Sequence, residues 1–349
     1  MIHQNDRILM IRLSAIGDVI QTLPSLYALK SAFPESTISW VVEEAAYHFL
    51  KGHPLIDNLI LFPKKEITQT LKKQGLFKAI QLIRQFSKKL KELEFDLAID
   101  FQNLFKSGMI AFLSGAGKRV GFSKGREGNF LFINKKYPAP KEQLHFVDWE
   151  LTLVKNLGAS VKEIKFILPD FSSEEMIVKD FLEANKIANF FCIAAGTSWP
   201  NKCWTPEGMA RLADELSHYG KIIFIGTELD RKITEDTMRL MSTHAHNAIN
   251  QFNLRELAVL IKKARLFFGG DTGPMHLAVA VNTPAFVWMG PTPSWRTGPY
   301  PGYGLAVSLS LTCQPCYKRQ CDNNLCLNTL PFEKVWKQTM EYLEKTELI

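Results

Sequence analysis

The sequence predicts an α/β protein made of two Rossmann-like, doubly wound parallel-sheet domains facing a central cleft. Three observations predict it. The 349 residues exceed one comfortable core and suit two domains of ~150–175 residues. Short runs rich in Ile, Leu, Val and Phe alternate with helical patterns, the order that gives a parallel sheet covered on both faces. In the second half, four strand-like runs each stop at glycine and are followed by polar residues. Open parallel sheets bind ligands beyond the carboxyl ends of their strands, where glycine lets the backbone approach closely.

The elements follow in order. Arg7–Leu13 is a near-continuous apolar run of strand length, as a buried parallel strand requires. Ser14-Ala-Ile-Gly-Asp18 leads into a helical pattern through Leu23, Leu26 and Leu29. Thr37–Val42, Asn58–Phe62 and Leu97–Phe101 read as further strands. Between them, Lys64–Lys91 carries nine Lys and Arg against one acid, Glu66, with Leu76, Ile80, Ile83, Phe86 and Leu90 on an apolar helical face. Such a segment suits an anionic membrane surface. It equally suits a helix packed on the sheet with a wet basic face. Around residues 156–172 the pattern loosens, and the division falls between domains 1–170 and 171–330. In the second half the strands are Phe190–Ala195, Lys221–Ile225, Arg265–Phe268 and Pro284–Met289.

Composition narrows the function. With 46% hydrophobic and 22% charged residues, disorder, collagen and a disulfide miniprotein are excluded. No stretch reaches the roughly 18 apolar residues of a spanning helix. Arg7 and Arg12 bracket the first apolar run, so a signal peptide is not expected and the expectation is a cytoplasmic protein. The net charge is +7, and residues 1–170 carry all of the excess, 24 Lys and Arg against 17 Asp and Glu. A basic half points to nucleic acid, a phosphorylated substrate or a membrane surface. A solvated lysine-rich surface would give the same count.

Several residues stand where chemistry belongs. Asp18 follows Gly17 just past the first strand; it suits a general base, or a helix-terminal acid complementing the macrodipole. Gly269-Gly270-Asp271-Thr272-Gly273-Pro274-Met275-His276 turns from a strand into a helix, and Thr272 and Gly273 present a hydroxyl and N–H groups at an anion-type helix start. Asp271 would repel a phosphate there, so it orients neighbouring N–H groups or binds a sugar hydroxyl. His276 faces the same pocket or belongs to the core. Thr197, Ser198 and Lys202 follow another strand, with Lys202 a point charge for a diphosphate. Asp230, four residues past Gly226, suits a ribose. Cys313, Cys316, Cys321 and Cys326 are spaced for structural zinc, a disulfide or reduced thiols, and all three stay open. There is no P-loop, H-E-x-x-H or G-x-S-x-G.

Leu13-Ser-Ala-Ile-Gly-Asp18 with Thr22-Leu-Pro24, Gly269-Gly270-Asp271-Thr272-Gly273-x-x-His276 and Gly290-Pro291-Thr292 together resemble the bacterial ADP-heptose:lipopolysaccharide heptosyltransferases, over almost the whole chain and in order. The resemblance implies a GT-B fold with a final helix, 331–349, crossing back to the first domain. It implies inverting transfer from ADP-heptose to the Kdo–lipid A inner core, with no cofactor, no catalytic metal and no nucleic acid as partner. Asp18 matches the base. Lys202 matches the lysine at the donor phosphates, assisted by Thr197 and Ser198. Gly17, Asp230, Asp271, Thr272, Gly273 and His276 match donor positions, and Gln102, Lys106 and Arg126 fall in acceptor stretches. Ile38–Glu44 is similar to the enzymes adding the first heptose, to Kdo; the cysteine cluster is similar to those adding the second. The reading leans to the first. A GT-B enzyme using another nucleotide sugar, and a non-catalytic nucleotide- or nucleic-acid-binding protein, are the competing classes.

Overall fold

A computed structural model describes residues 2–347. The chain divides into two compact units, Met1–Asp170 and Phe171–Ile349.

In the first unit the strands are β1 (Arg7–Ile11), β2 (Thr37–Val42), β3 (Asn58–Leu61), β4 (Leu97–Asp100), β5 (Lys118–Phe122) and β6 (Lys135–Tyr137). They form one sheet in the order β3-β2-β1-β4-β5-β6, every neighbouring pair parallel. The aliphatic runs explain the centre: β4 is buried throughout, and β1 and β2 are buried after their first residues. Helices cover both faces, as parallel crossovers require. The strand order reverses between β1 and β4, so their carboxyl ends diverge and leave room for loops there.

The second unit repeats this order. Its strands are β7 (Phe190–Ala194), β8 (Lys221–Phe224), β9 (His246–Asn247), β10 (Phe267–Gly270), β11 (Ala285–Met289) and β12 (Gly304–Ser308). They run β12-β11-β10-β7-β8-β9, again all parallel. The reversal lies between β7 and β10. Phe191, Phe224, Phe268, Phe286 and Trp288 fill its core.

The structure adjusts several expectations. β10 runs through Gly269 and Gly270 rather than stopping before them, because Gly269 pairs with Ala194 and Val287. β5, β6, β9 and β12 lie toward the sheet edges and carry no long apolar run, so they take their conformation from a neighbouring strand. Lys64–Lys91 forms two helices, Lys64–Gln74 and Leu76–Lys91, broken at Gly75 with φ +85°. Phe86 and Leu90 join the first unit's core, while Leu76 and Phe77 stay 65% and 68% exposed. The final helix, Phe332–Lys345, packs on its own unit, against the helix Pro206–Leu216 and β12. Its buried Val335, Thr339 and Leu343 make a stripe at helical spacing. Among the described residues no helix is long and apolar enough to cross a membrane.

Candidate active site

The candidate residues fall in two groups, each beyond the point where its own sheet reverses. In the first unit, Asp18 is the third residue of the helix Ile16–Ala32, which follows β1. Its Oδ2 accepts the Ala15 N–H at 3.3 Å and lies 3.3 Å from Arg12 Nη2. The side chain remains 44% exposed. Asp18 thus closes the helix start while leaving its carboxylate open to solvent. Gly17 beside it is buried.

Arg12 is almost fully buried. Its Nη1 donates to Phe101 O at 2.8 Å, and its guanidinium stands over the Phe146 ring, 5.0 Å from the centroid. Glu150, on the helix Phe146–Asn156, is fully buried with Oε1 3.7 Å from Arg12 Nη1. Burial pushes its carboxyl up to about 8; the Arg12 charge and the Thr22 hydroxyl oppose this, and the Asp18 charge adds to it.

The loop after β4 is organised by Asp100. One carboxylate oxygen accepts the Gln102 and Asn103 N–H groups at 2.9 and 3.1 Å, and the other accepts the Ser107 hydroxyl and the Asn129 amide. Burial pushes this carboxyl up to about 6 against those hydrogen bonds. Gln102 Oε1 accepts the Leu13 N–H at 2.8 Å, tying this loop to the one after β1. Lys106 pairs with Glu43, which also holds Lys64 at 3.0 Å. The exposed Arg126 is tied in through its own N–H, donated to Asn103 O at 2.8 Å. Gln102 and Arg126 thus sit on connected loops, with Lys106 in the first turn of the helix Phe105–Leu113 that follows β4.

In the second unit Asp271 gathers the site. Its Oδ2 accepts Lys202 Nζ at 2.6 Å, Thr292 Oγ1 at 2.7 Å and Thr297 Oγ1 at 2.8 Å. Its Oδ1 lies 3.7 Å from His276 Nε2. Burial alone would push this carboxyl up, but the His276 hydrogen bond and the Lys202 charge hold it below the usual range. One Asp271 oxygen is thus taken by a lysine and two threonines, while the other lies toward His276. Lys202 stands 4.4 Å from the Trp199 ring centroid. An ammonium has three N–H donors, so Lys202 keeps two for an anion while holding Asp271.

Thr272 precedes the helix Gly273–Ala280, whose start it shares with Gly273. Thr197 spends its hydroxyl on Trp199 O at 2.6 Å, closing its loop, while Ser198 is exposed. Asp230 Oδ2 accepts the Thr227 N–H and hydroxyl at 2.8 and 2.9 Å; its other oxygen lies against Gly196. Sequence reasoning missed Arg12, Glu150 and Thr297, which carry no local motif. Glu43 and Thr292 stood in quoted motifs without a role. All six cysteines are free. Cys326 is buried while Cys313 and Cys321 are exposed, and among the described residues no group of three or more His, Cys, Asp or Glu could hold a metal ion.

Two parallel sheets of this order make the GT-B fold, and the protein is a glycosyltransferase of that fold. The chain belongs to glycosyltransferase family 9 (heptosyltransferase), whose model matches residues 83–327. It is similar to lipopolysaccharide heptosyltransferase 1 of Pseudomonas aeruginosa, 28% identical over 326 residues, covering 90% of this chain and 87% of the relative. Its fold matches the crystal structure of the glycosyl transferase family 9 from Veillonella parvula at a TM-score of 0.86, with 22% identity and 99% of each chain covered. It also matches Escherichia coli heptosyltransferase WaaC with ADP-2-deoxy-2-fluoro heptose at 0.73, with 22% identity over 96% of this chain and 99% of that one.

Proposed function

We propose that this enzyme transfers L-glycero-D-manno-heptose from ADP-heptose to Kdo of the lipopolysaccharide inner core, with inversion. The observation that carries this reading is the placing of Asp18 beyond β1 and of Lys202 with Asp271 beyond β7 and β10, where ligands of open α/β sheets bind. The name of the Pseudomonas relative supports the reaction, and the sugar nucleotide named with the Escherichia coli structure supports the donor.

Asp18 takes the proton of the acceptor hydroxyl, whose oxygen attacks the anomeric carbon from the face opposite ADP. The bond to the diphosphate breaks and its electrons leave with ADP. Lys202, with its two uncommitted N–H donors, and the helix start at Thr272–Gly273 stabilise that charge as preorganised donors do. Thr197 and Ser198 border the phosphates, His276 keeps Asp271 charged, and Asp230 offers its oxygen beside Gly196 to the ribose. Gln102, Lys106 and Arg126 serve the anionic acceptor. The basic helices Lys64–Gln74 and Leu76–Lys91 meet the cytoplasmic face of the inner membrane, with Leu76 and Phe77 entering the headgroup region.

The test is ADP release from ADP-heptose by purified protein, with Kdo–lipid A and then heptosyl-Kdo–lipid A as acceptor, and Asp18→Ala alongside. Release that needs Kdo–lipid A and disappears in the variant is expected; the anomeric configuration of the product reads inversion. Release only with the heptosylated acceptor would assign the second heptose instead. Competition by UDP- or GDP-sugars but not ADP-heptose would assign another donor.

A further inference from the structure

Glu150 is fully buried, and neither of its carboxylate oxygens accepts a hydrogen bond. The Thr22 hydroxyl nearby gives its proton to Asp18 O at 2.8 Å. A buried carboxyl without hydrogen bonds is destabilising unless a charge compensates it. Arg12 is that charge. Its Nη1 lies 3.7 Å from Glu150 and its Nη2 3.3 Å from Asp18, so one guanidinium serves two carboxyl groups, one enclosed and one open to solvent. Phe101 O and the Phe146 ring hold the guanidinium from its other sides.

We propose that Glu150 is a positioning residue for Asp18, acting through Arg12: it anchors the guanidinium and sets how much of its positive charge the Asp18 carboxylate feels. The proposal rests on Asp18 being the base. With Glu150 neutral, the Arg12 charge bears on Asp18 alone. With Glu150 ionised, the guanidinium is shared between the two carboxylates, which leaves Asp18 freer to draw the acceptor's proton. The charged groups bearing on Glu150 are Arg12, from the end of β1, and Asp18, from the helix Ile16–Ala32. Because burial pushes the Glu150 carboxyl up to about 8, the exchange between these states falls within the working range of an enzyme.

The test is kcat and both KM values between about pH 6 and pH 9 for the wild type and E150Q, with Asp18→Ala as control. The wild-type kcat should rise as Glu150 loses its proton. E150Q should lack that rise, matching the wild type at the acid end and falling about three- to tenfold below it at the alkaline end, with donor KM unchanged. Superimposed profiles, with turnover still lost in Asp18→Ala, would overturn the proposal alone. Full turnover in Asp18→Ala would instead remove the base reading. Should E150Q fold poorly, carboxyl carbon NMR of the wild type decides: the Asp18 signal must show an inflection where Glu150 titrates, and its absence refutes the coupling.

Discussion

Lys202 Nζ lies 2.6 Å from Asp271 Oδ2, a pair formed across 69 residues of chain. The two side chains are only 12% and 7% exposed. Removing one partner from such a pair leaves an uncompensated buried charge. Lys202→Ala should therefore destabilise the fold by about 3–5 kcal/mol, and lower kcat by about 10²–10³-fold through loss of the diphosphate contact. Combining Lys202→Met with Asp271→Asn should be less destabilising than the sum of the two single changes. Urea unfolding of the four proteins measures this. Additivity within ~0.5 kcal/mol would mean the pair is not coupled.

Glu150 gives stability a pH dependence with a definite sign. Its carboxyl is raised from an ordinary 4.5 to about 8, so in that window the folded chain binds a proton that the unfolded chain has released. The contribution is fully present below about 4.5 and is lost as pH rises through about 8. Asp100, raised from 3.8 to about 6, acts with the same sign at lower pH. E150Q has no proton to lose, so its stability should fall less than the wild type's between pH 6 and 8, by a difference on the order of a few kcal/mol. Denaturation midpoints at both ends of that window report it, and parallel curves for the two proteins would count against a Glu150 carboxyl that burial keeps protonated.

Gly196 lies against Asp230, the residue proposed to bind the ribose. A Cβ there would collide with the Asp230 carboxyl. Gly196→Ala should displace Asp230 and weaken ADP binding about tenfold, the scale of one lost charge-assisted hydrogen bond. Asp230→Ala should do the same, and the two changes together should add little more. Calorimetry with ADP reads all three; tight binding by Asp230→Ala would take that residue out of the donor site.

The bare turn at Leu76 and Phe77, with Lys72, Lys73 and Lys78 around it, should bind vesicles containing anionic lipid and release them as salt rises. Leu76→Ser combined with Phe77→Ser should abolish flotation while leaving ADP binding intact. Equal flotation of variant and wild type would assign membrane contact elsewhere.

The central strands were legible because each buried strand of a parallel sheet must be apolar by itself: Arg7–Leu13 and Thr37–Val42 announce β1 and β2 with no help from the rest of the chain. The turns carrying Asp18 and Gly269–His276 were legible for a related reason, since a passage from an apolar strand into a helix is a local event. β6, with its Lys-Lys-Tyr, is strand only because β5 supplies its hydrogen bonds. The end of the helical run at Gly75 was in the sequence, but only the fold decided which half of its apolar face would be covered.

Charge pairing belongs wholly to the tertiary structure. Nothing near Lys202 points to Asp271, nor near Thr297 to the same oxygen, and Glu150 reads as an ordinary helix acid until Arg12 is placed beside it. Local apolar pattern and turn chemistry act over a few residues, so the sequence by itself determined the central strands and the alternation of strands with helices. Burial and electrostatics act between residues that meet only after folding, so the tertiary structure alone decided which side chains share a charge, and which acid stays half open to solvent while its neighbour is sealed from it.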